Sequence, residues 1–124
     1  MTQPVSKLKI DEDQVGDITV LRLRGEIVSD DGDLLFGRRV DDLIKRGLQK
    51  VVVNLSDVTY IDSAGVGMMV YESKMLQEKQ GMMKLAHLSA RSHHLLAMLK
   101  LKLVFEIYED EAAAIDSFKW GPRT

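Results

Sequence analysis

Several residue types that support catalysis or cross-linking are missing or scarce in this chain. It has no cysteine, which excludes disulfides, thiolate nucleophiles and cysteine-ligated zinc or iron–sulfur sites. Its two prolines, Pro4 and Pro122, lie near the ends, so no proline-rich linker divides the interior. No apolar run approaches the roughly 20 residues of a membrane-spanning helix. We therefore expect no signal peptide, no membrane insertion and a cytoplasmic location.

The charges nearly balance, with 17 Lys and Arg against 19 Asp and Glu. A formal net charge of -2 gives no general attraction to nucleic acid or to anionic membranes. With 45% hydrophobic residues, a chain of 124 residues has enough apolar material for one core. We expect a single domain over residues 1–124, with its core at about 5–118, and no nucleic-acid partner.

Hydrophobic periodicity predicts strands that alternate with helices. Strands at 7–10 and 18–25, joined by a turn at 15–17, predict an antiparallel hairpin. The next elements are a helix capped by Asp33 and ended by Gly47, and a central strand at 51–55. Residues 58–61 then lead into a turn at 62–67 and a helix to about 80, ended by Gly81. The last elements are a strand at 83–88, a helix at 90–99 capped by Ser89, a strand at 104–108 and a helix at 111–118 capped by Asp110. This order predicts an α/β fold, a mixed and mostly parallel sheet of about five strands with about four helices.

Motifs for catalysis or for a cofactor are incomplete. The three histidines, His87, His93 and His94, lack the spacing of a metal site. Gly65-Val66-Gly67 lacks the third glycine of a dinucleotide fingerprint, and Ser63 lacks the first glycine of a hydrolase nucleophile elbow. We therefore expect no enzyme activity, no cofactor and no metal.

Ser63 lies where a strand is predicted to turn into a helix, and two interpretations remain open. Its hydroxyl is suited to capping the helix. It is equally suited to phosphorylation, because a helix N-terminus tolerates the roughly -1.5 to -2 charges of a phosphate. No basic residue stands near this turn in the sequence, which argues against a nucleotide there.

The helix after Ser63 has two apolar stripes. One is predicted to pack on the sheet and comprises Val66, Met69, Val70, Ser73 and Gln77, with Leu76 at its margin. The other comprises Ala64, Met68, Tyr71 and Met75. Either a neighbouring helix covers this second stripe, or it binds another protein, for which methionine is well suited.

The segment from Asn54 to Gly67, NLSDVTYIDSAGVG, resembles the signature of the STAS domain family, the bacterial anti-sigma factor antagonists and their relatives. Gly16-Asp17, Gly25-Glu26-Ile27 and Gly81 to Leu85 are similar to other parts of the family pattern, in the same order. Two positions depart from it. Ala64 replaces a second Ser or Thr, and Val28, followed by a longer loop at 29–33, replaces the usual aspartate.

The resemblance implies a binding module that is phosphorylated on Ser63 by an anti-sigma factor of the serine kinase type. The unphosphorylated form would bind that factor, and a phosphatase would reset the switch. We expect partner contacts from Asp62, Ser63, Ala64, Gly65, Met68, Tyr71 and Met75, with Asp30 and Asp31 from the loop. A homodimer stays open. The alternative function is a constitutive STAS scaffold subunit of a sensory or transporter-associated complex, with Ser63 only as a helix cap.

Overall fold

The structure, a computed structural model, describes residues 8–29 and 31–120, with the backbone alone for Trp120. Lys7 and Asp30, which the sequence analysis places in a strand and in the acidic loop, lie outside these residues. The strands are β1 (Lys9–Val15), β2 (Ile18–Ile27), β3 (Lys50–Ile61), β4 (Met82–Ala86) and β5 (Glu106–Tyr108). The helices are α1 (Gly32–Lys45), α2 (Ser63–Glu78), α3 (Ala90–Met98) and α4 (Glu111–Trp120).

The strands form one sheet in the order β1-β2-β3-β4-β5. The β1 and β2 strands pair antiparallel, and all the later pairs are parallel. The predicted α/β class, the five strands, the four helices and the opening hairpin are therefore confirmed.

The sheet is covered on both faces. Val51 and Val53 of β3 point into the main core, which α1, α2 and α3 complete with Phe36, Val66 and Leu96. Val52, between them, points to the opposite face, where Ala114 and Ile115 of α4 cover it. This explains why the β3 sequence is a continuous apolar run.

The β3 strand is longer than its apolar run. It continues through the exposed Ser56 and Asp57 to Ile61, whereas the sequence predicts a strand at 51–55 alone. The reason is that β2 stays paired with β3 as far as Ile27, opposite Ile61, although β4 stops earlier, at Ala86 opposite Asn54. The second half of β3 is therefore paired along one edge only, and its exposed positions can carry polar side chains.

Two predicted helix boundaries are wrong in detail. The N-cap of α1 is Asp31, and Asp33 lies in the first turn. At the end of α2 the left-handed residue is Gln80 (φ 65°), whereas Gly81 is needed because a Cβ there would lie 2.5 Å from the carbonyl oxygen of Gln49. The predicted caps Ser89 and Asp110 are confirmed, since each accepts a hydrogen bond from a backbone N–H three residues later.

Candidate functional site

The site begins where β3 ends and α2 starts, and Asp62 is the residue that caps the helix. Its Oδ1 accepts a hydrogen bond from the N–H of Gly65 at 2.8 Å. Its Oδ2 accepts one from the N–H of Ser29 at 3.1 Å. Asp62 therefore satisfies the helix start and holds the loop after β2 against it. The interpretation of Ser63 as the cap is wrong.

Ser63 is the first residue of α2, and its side chain is exposed. Its hydroxyl forms no hydrogen bond with any residue that the structure describes. The serine is thus accessible and has no structural task that a modification would disrupt.

The two glycines of the turn have different roles. Gly65 is buried, and a Cβ there would lie 2.1 Å from the carbonyl oxygen of Ile27, so it allows α2 to touch the end of β2. Gly67 is exposed, with nothing within 4 Å of a Cβ built there. Gly65 therefore has a structural role, and its expected contact with a partner stays a prediction.

The second stripe of α2 is only partly covered. Met68 is half-buried against Gly37 of α1, where a Cβ would lie 2.8 Å from its sulfur. Ala64 and Met75 are also half-buried, while Tyr71 is 55% exposed. Helix α1 thus covers one side of this stripe and leaves the tyrosine in solvent, and binding of another protein by the stripe stays a prediction.

The buried face of α2 is rotated from the predicted one. Gln77, predicted to pack on the sheet, is exposed, whereas Glu72, predicted on neither stripe, is only 1% exposed. The cause is α1, which packs on α2 and extends its buried face toward Glu72. Burial raises the pKa of Glu72 to about 8, and the nearby carboxyl group of Asp41 on α1 adds to the rise.

An open groove of about 410 Å³ lies beside Ser63. Tyr60, Ile61, Asp62 and Ser63 line one side, and Arg91, His94, Leu95 and Met98 of α3 line the other. The Arg91 guanidinium lies 6.0 Å from the centroid of the Tyr60 ring. Basic residues therefore do stand near this turn, contrary to the inference from the sequence, because the fold brings α3 alongside it.

The loop after β2 supplies the remaining predicted contact. Asp31 is exposed and has a left-handed backbone, with φ 82°. Val28, at the position of the usual aspartate, is half-buried, and its carbonyl accepts a hydrogen bond from the N–H of Asp33 at 2.9 Å. Whether Asp31 touches a partner stays a prediction.

Two further properties concern the described residues only. No cluster of three or more His, Asp or Glu side chains is arranged to hold a metal ion among residues 8–29 and 31–120. Over the same part of the chain, no helix has the length and apolar character needed to cross a membrane.

Comparison with known proteins agrees with this architecture. The STAS domain profile matches residues 9–114. The anti-sigma F factor antagonist of Paenibacillus polymyxa is 25% identical over 108 residues, which cover 87% of this chain and 92% of that protein.

Solved structures share the fold. A Thermotoga maritima protein described as a candidate anti-sigma factor antagonist superposes with a TM-score of 0.83 at 24% identity, covering 89% of this chain and 94% of that one. The Bacillus cell fate determinant SpoIIAA, in its phosphorylated form, gives a TM-score of 0.71 at 20% identity, covering 89% of this chain and 99% of that one. The Paenibacillus protein, which matches most of this chain's length, is named an anti-sigma F factor antagonist, and this chain belongs to the STAS domain family.

Proposed function

We propose that this protein is an anti-sigma factor antagonist whose binding is switched by phosphorylation of Ser63. The observation that supports this most is the division of tasks at the start of α2. Asp62 caps the helix, and the neighbouring Ser63 hydroxyl is exposed and has no partner among the described residues. A serine in that position can gain and lose a phosphate without disturbing the cap.

The physical effect of the phosphate would be local. It adds roughly -1.5 to -2 charges at neutral pH. The positive end of the α2 dipole favours such a charge, so the helix remains folded. A partner that docks beside Ser63, however, meets a new dianion next to Asp62. Phosphorylation would therefore release the partner without unfolding the protein.

The surface next to Ser63 fits this role. Ala64 and Tyr71 lie along α2 with part or most of their side chains in solvent, and Met68 and Met75 are half-buried beside them. An aromatic ring amid adaptable methionines is typical of a protein-binding surface. We propose that an anti-sigma factor of the serine kinase type binds here when Ser63 is unmodified, so that its sigma factor becomes free for transcription. A phosphatase would restore the binding state.

A quantitative pull-down from host lysate tests the switch. The baits are the wild type, Ser63→Ala, Ser63→Glu and the control Ser56→Glu, which adds the same charge at another exposed serine. We expect a kinase-like anti-sigma factor to be retained by the wild type, Ser63→Ala and Ser56→Glu, and to be lost from Ser63→Glu.

Retention of the same partners by all four baits would contradict the switch. It would favour the constitutive scaffold, although that alternative assigned Ser63 the capping role that Asp62 fills.

A further inference from the structure

Arg91 differs from most arginines of this protein in its pairing. Arg22, Arg24, Arg39 and Arg46 each form a salt bridge with a carboxylate. Arg91 forms none with any described residue, and its guanidinium instead lies over the face of the Tyr60 ring. A guanidinium beside an aromatic ring at the surface is held weakly and can move to an anion.

The fold places this arginine beside the proposed phosphorylation site. Arg91 and Ser63 line opposite sides of the same groove, and His94, one turn further along α3, lines it as well. Asp62 is a weak competitor for Arg91, because both of its carboxylate oxygens already accept backbone hydrogen bonds from Ser29 and Gly65.

We infer that Arg91 and His94 form an intramolecular binding site for a phosphomonoester on Ser63. This inference rests on the proposed function, since it requires Ser63 to carry a phosphate. The planar guanidinium can donate two parallel hydrogen bonds to phosphate oxygens, and the His94 imidazole offers a third donor.

Occupation of this site would change the surface as well as its charge. A phosphate held by Arg91 ties the first turn of α2 to α3, across a groove that contains Ile61, Leu95 and Met98. Phosphorylation would thereby cover an apolar groove beside the partner surface. It would add a steric element to the electrostatic release of the partner.

The test uses the full chain with phosphoserine incorporated at position 63 during translation, so that neither kinase nor partner is needed. The second pKa of the phosphate is measured by ³¹P NMR in the unsubstituted background, in Arg91→Gln and in Arg38→Gln. Arg38 is a matched control, being exposed on α1 without a salt bridge to any described residue.

A cation beside the phosphate favours the dianion and lowers this pKa. We therefore expect Arg91→Gln to raise it by roughly 0.5 unit, as for a solvent-exposed ion pair. His94→Gln should raise it by less, and Arg38→Gln should leave it unchanged. Equal values in the unsubstituted background and in Arg91→Gln would overturn the inference.

A second arm separates the phosphate on Ser63 from free phosphate. Unmodified protein is titrated with inorganic phosphate while the His94 ring signals are followed by NMR. We expect no saturation in the millimolar range. Saturable binding that is abolished by Arg91→Gln would mean that the groove binds a free anion. It would overturn the inference that the ligand of this site is the phosphate on Ser63. Failure of the proposed function would show instead in the pull-down, through partners indifferent to Ser63.

Discussion

At the scale of single residues, the start of α2 separates stability from signalling. Asp62 holds the helix start and the loop after β2 through two backbone hydrogen bonds, while Ser63 holds nothing within the described residues. Capping residues are worth about 1 kcal/mol, so a switch placed on the cap itself would alter the fold each time it was used. A neighbouring serine avoids that coupling.

The two glycines of the turn give a matched pair of stability predictions. Gly65→Ala places a methyl group against the backbone carbonyl of Ile27, which cannot move without displacing β2, so we expect a loss of roughly 2–4 kcal/mol in the free energy of unfolding. Gly67→Ala meets open space on an exposed helical position and should stabilise by about 0.5–1 kcal/mol. Urea denaturation followed by circular dichroism measures both. Similar effects of the two substitutions would contradict the close contact of α2 with β2.

The sequence identifies Ser63, but it does not show which residue caps the helix or which side chains face Ser63 across the groove. A Ser beside an Asp before a helix offers two good caps, and the choice is made by the fold, since Ser29 also donates to Asp62. The role of Arg91 could not be predicted from the sequence for the same reason. Its position beside Ser63 depends on how α3 packs against the end of β3, which no local pattern encodes.

At the scale of elements, α1 and α2 enclose an acidic group in an apolar interface. Glu72 lies between them, close to the position that a Cβ of Gly37 would occupy, and its Oε1 has no hydrogen-bond partner among the described residues. A buried carboxyl group favours its neutral form, and nearby Asp41 opposes a second negative charge. The packing of the two helices is therefore sensitive to protonation.

This burial predicts a pH-dependent stability. The pKa of Glu72 rises from an ordinary value of 4.5 to about 8 in the folded protein, so the folded state binds a proton that the unfolded state has lost. Stability must then fall as the pH rises between those two values. Glu72→Gln removes this loss, and we expect it to stabilise by roughly 1–3 kcal/mol at pH 8.5, with little effect near pH 4.5.

Unfolding by urea at several pH values measures the effect of Glu72→Gln. The control is Glu78→Gln, at an exposed position of the same helix, whose stability should follow the wild type at every pH. A constant difference between Glu72→Gln and wild type across the range would argue against a proton on Glu72. The burial of Glu72 was not predicted, because helical periodicity indicates which face of α2 packs on the sheet but not which face packs on a second helix.

At the scale of the whole molecule, the two faces of the sheet differ in how they are closed. Three helices cover the face that carries the main core, and among the described residues α4 alone covers the other. The strand and helix order was predictable, because apolar periodicity and caps mark each element and the right-handed crossover rule limits the topology. The extent of β3 was not, since it depends on how far the neighbouring β2 stays paired with it.

The attachment of α4 to the sheet includes a polar cluster that no sequence pattern indicates. Glu111, in the first turn of α4, accepts two hydrogen bonds from the Arg22 guanidinium of β2 at 2.9 Å each. It also accepts one from the Asn54 side chain of β3 at 2.8 Å. These contacts join the last helix to two central strands, across 89 positions of sequence between Arg22 and Glu111.

The cluster predicts a stability difference that depends on acid. The hydrogen bonds from Arg22 hold the pKa of Glu111 below its usual range, with help from Asn54. A lowered carboxyl pKa gives stability that is present at neutral pH and lost as the pH falls through the folded pKa. We expect Glu111→Gln to cost about 1 kcal/mol at pH 7, after allowing for the solvent around Arg22, and progressively less as the pH falls below the usual range of a glutamate. Urea unfolding over a series of falling pH values checks this, with Asp116→Asn, exposed on the same helix, as the unaffected control. A cost that stayed constant as the pH fell would mean that Glu111 acts through packing, and that α4 is held by Ala114 and Ile115 rather than by charge.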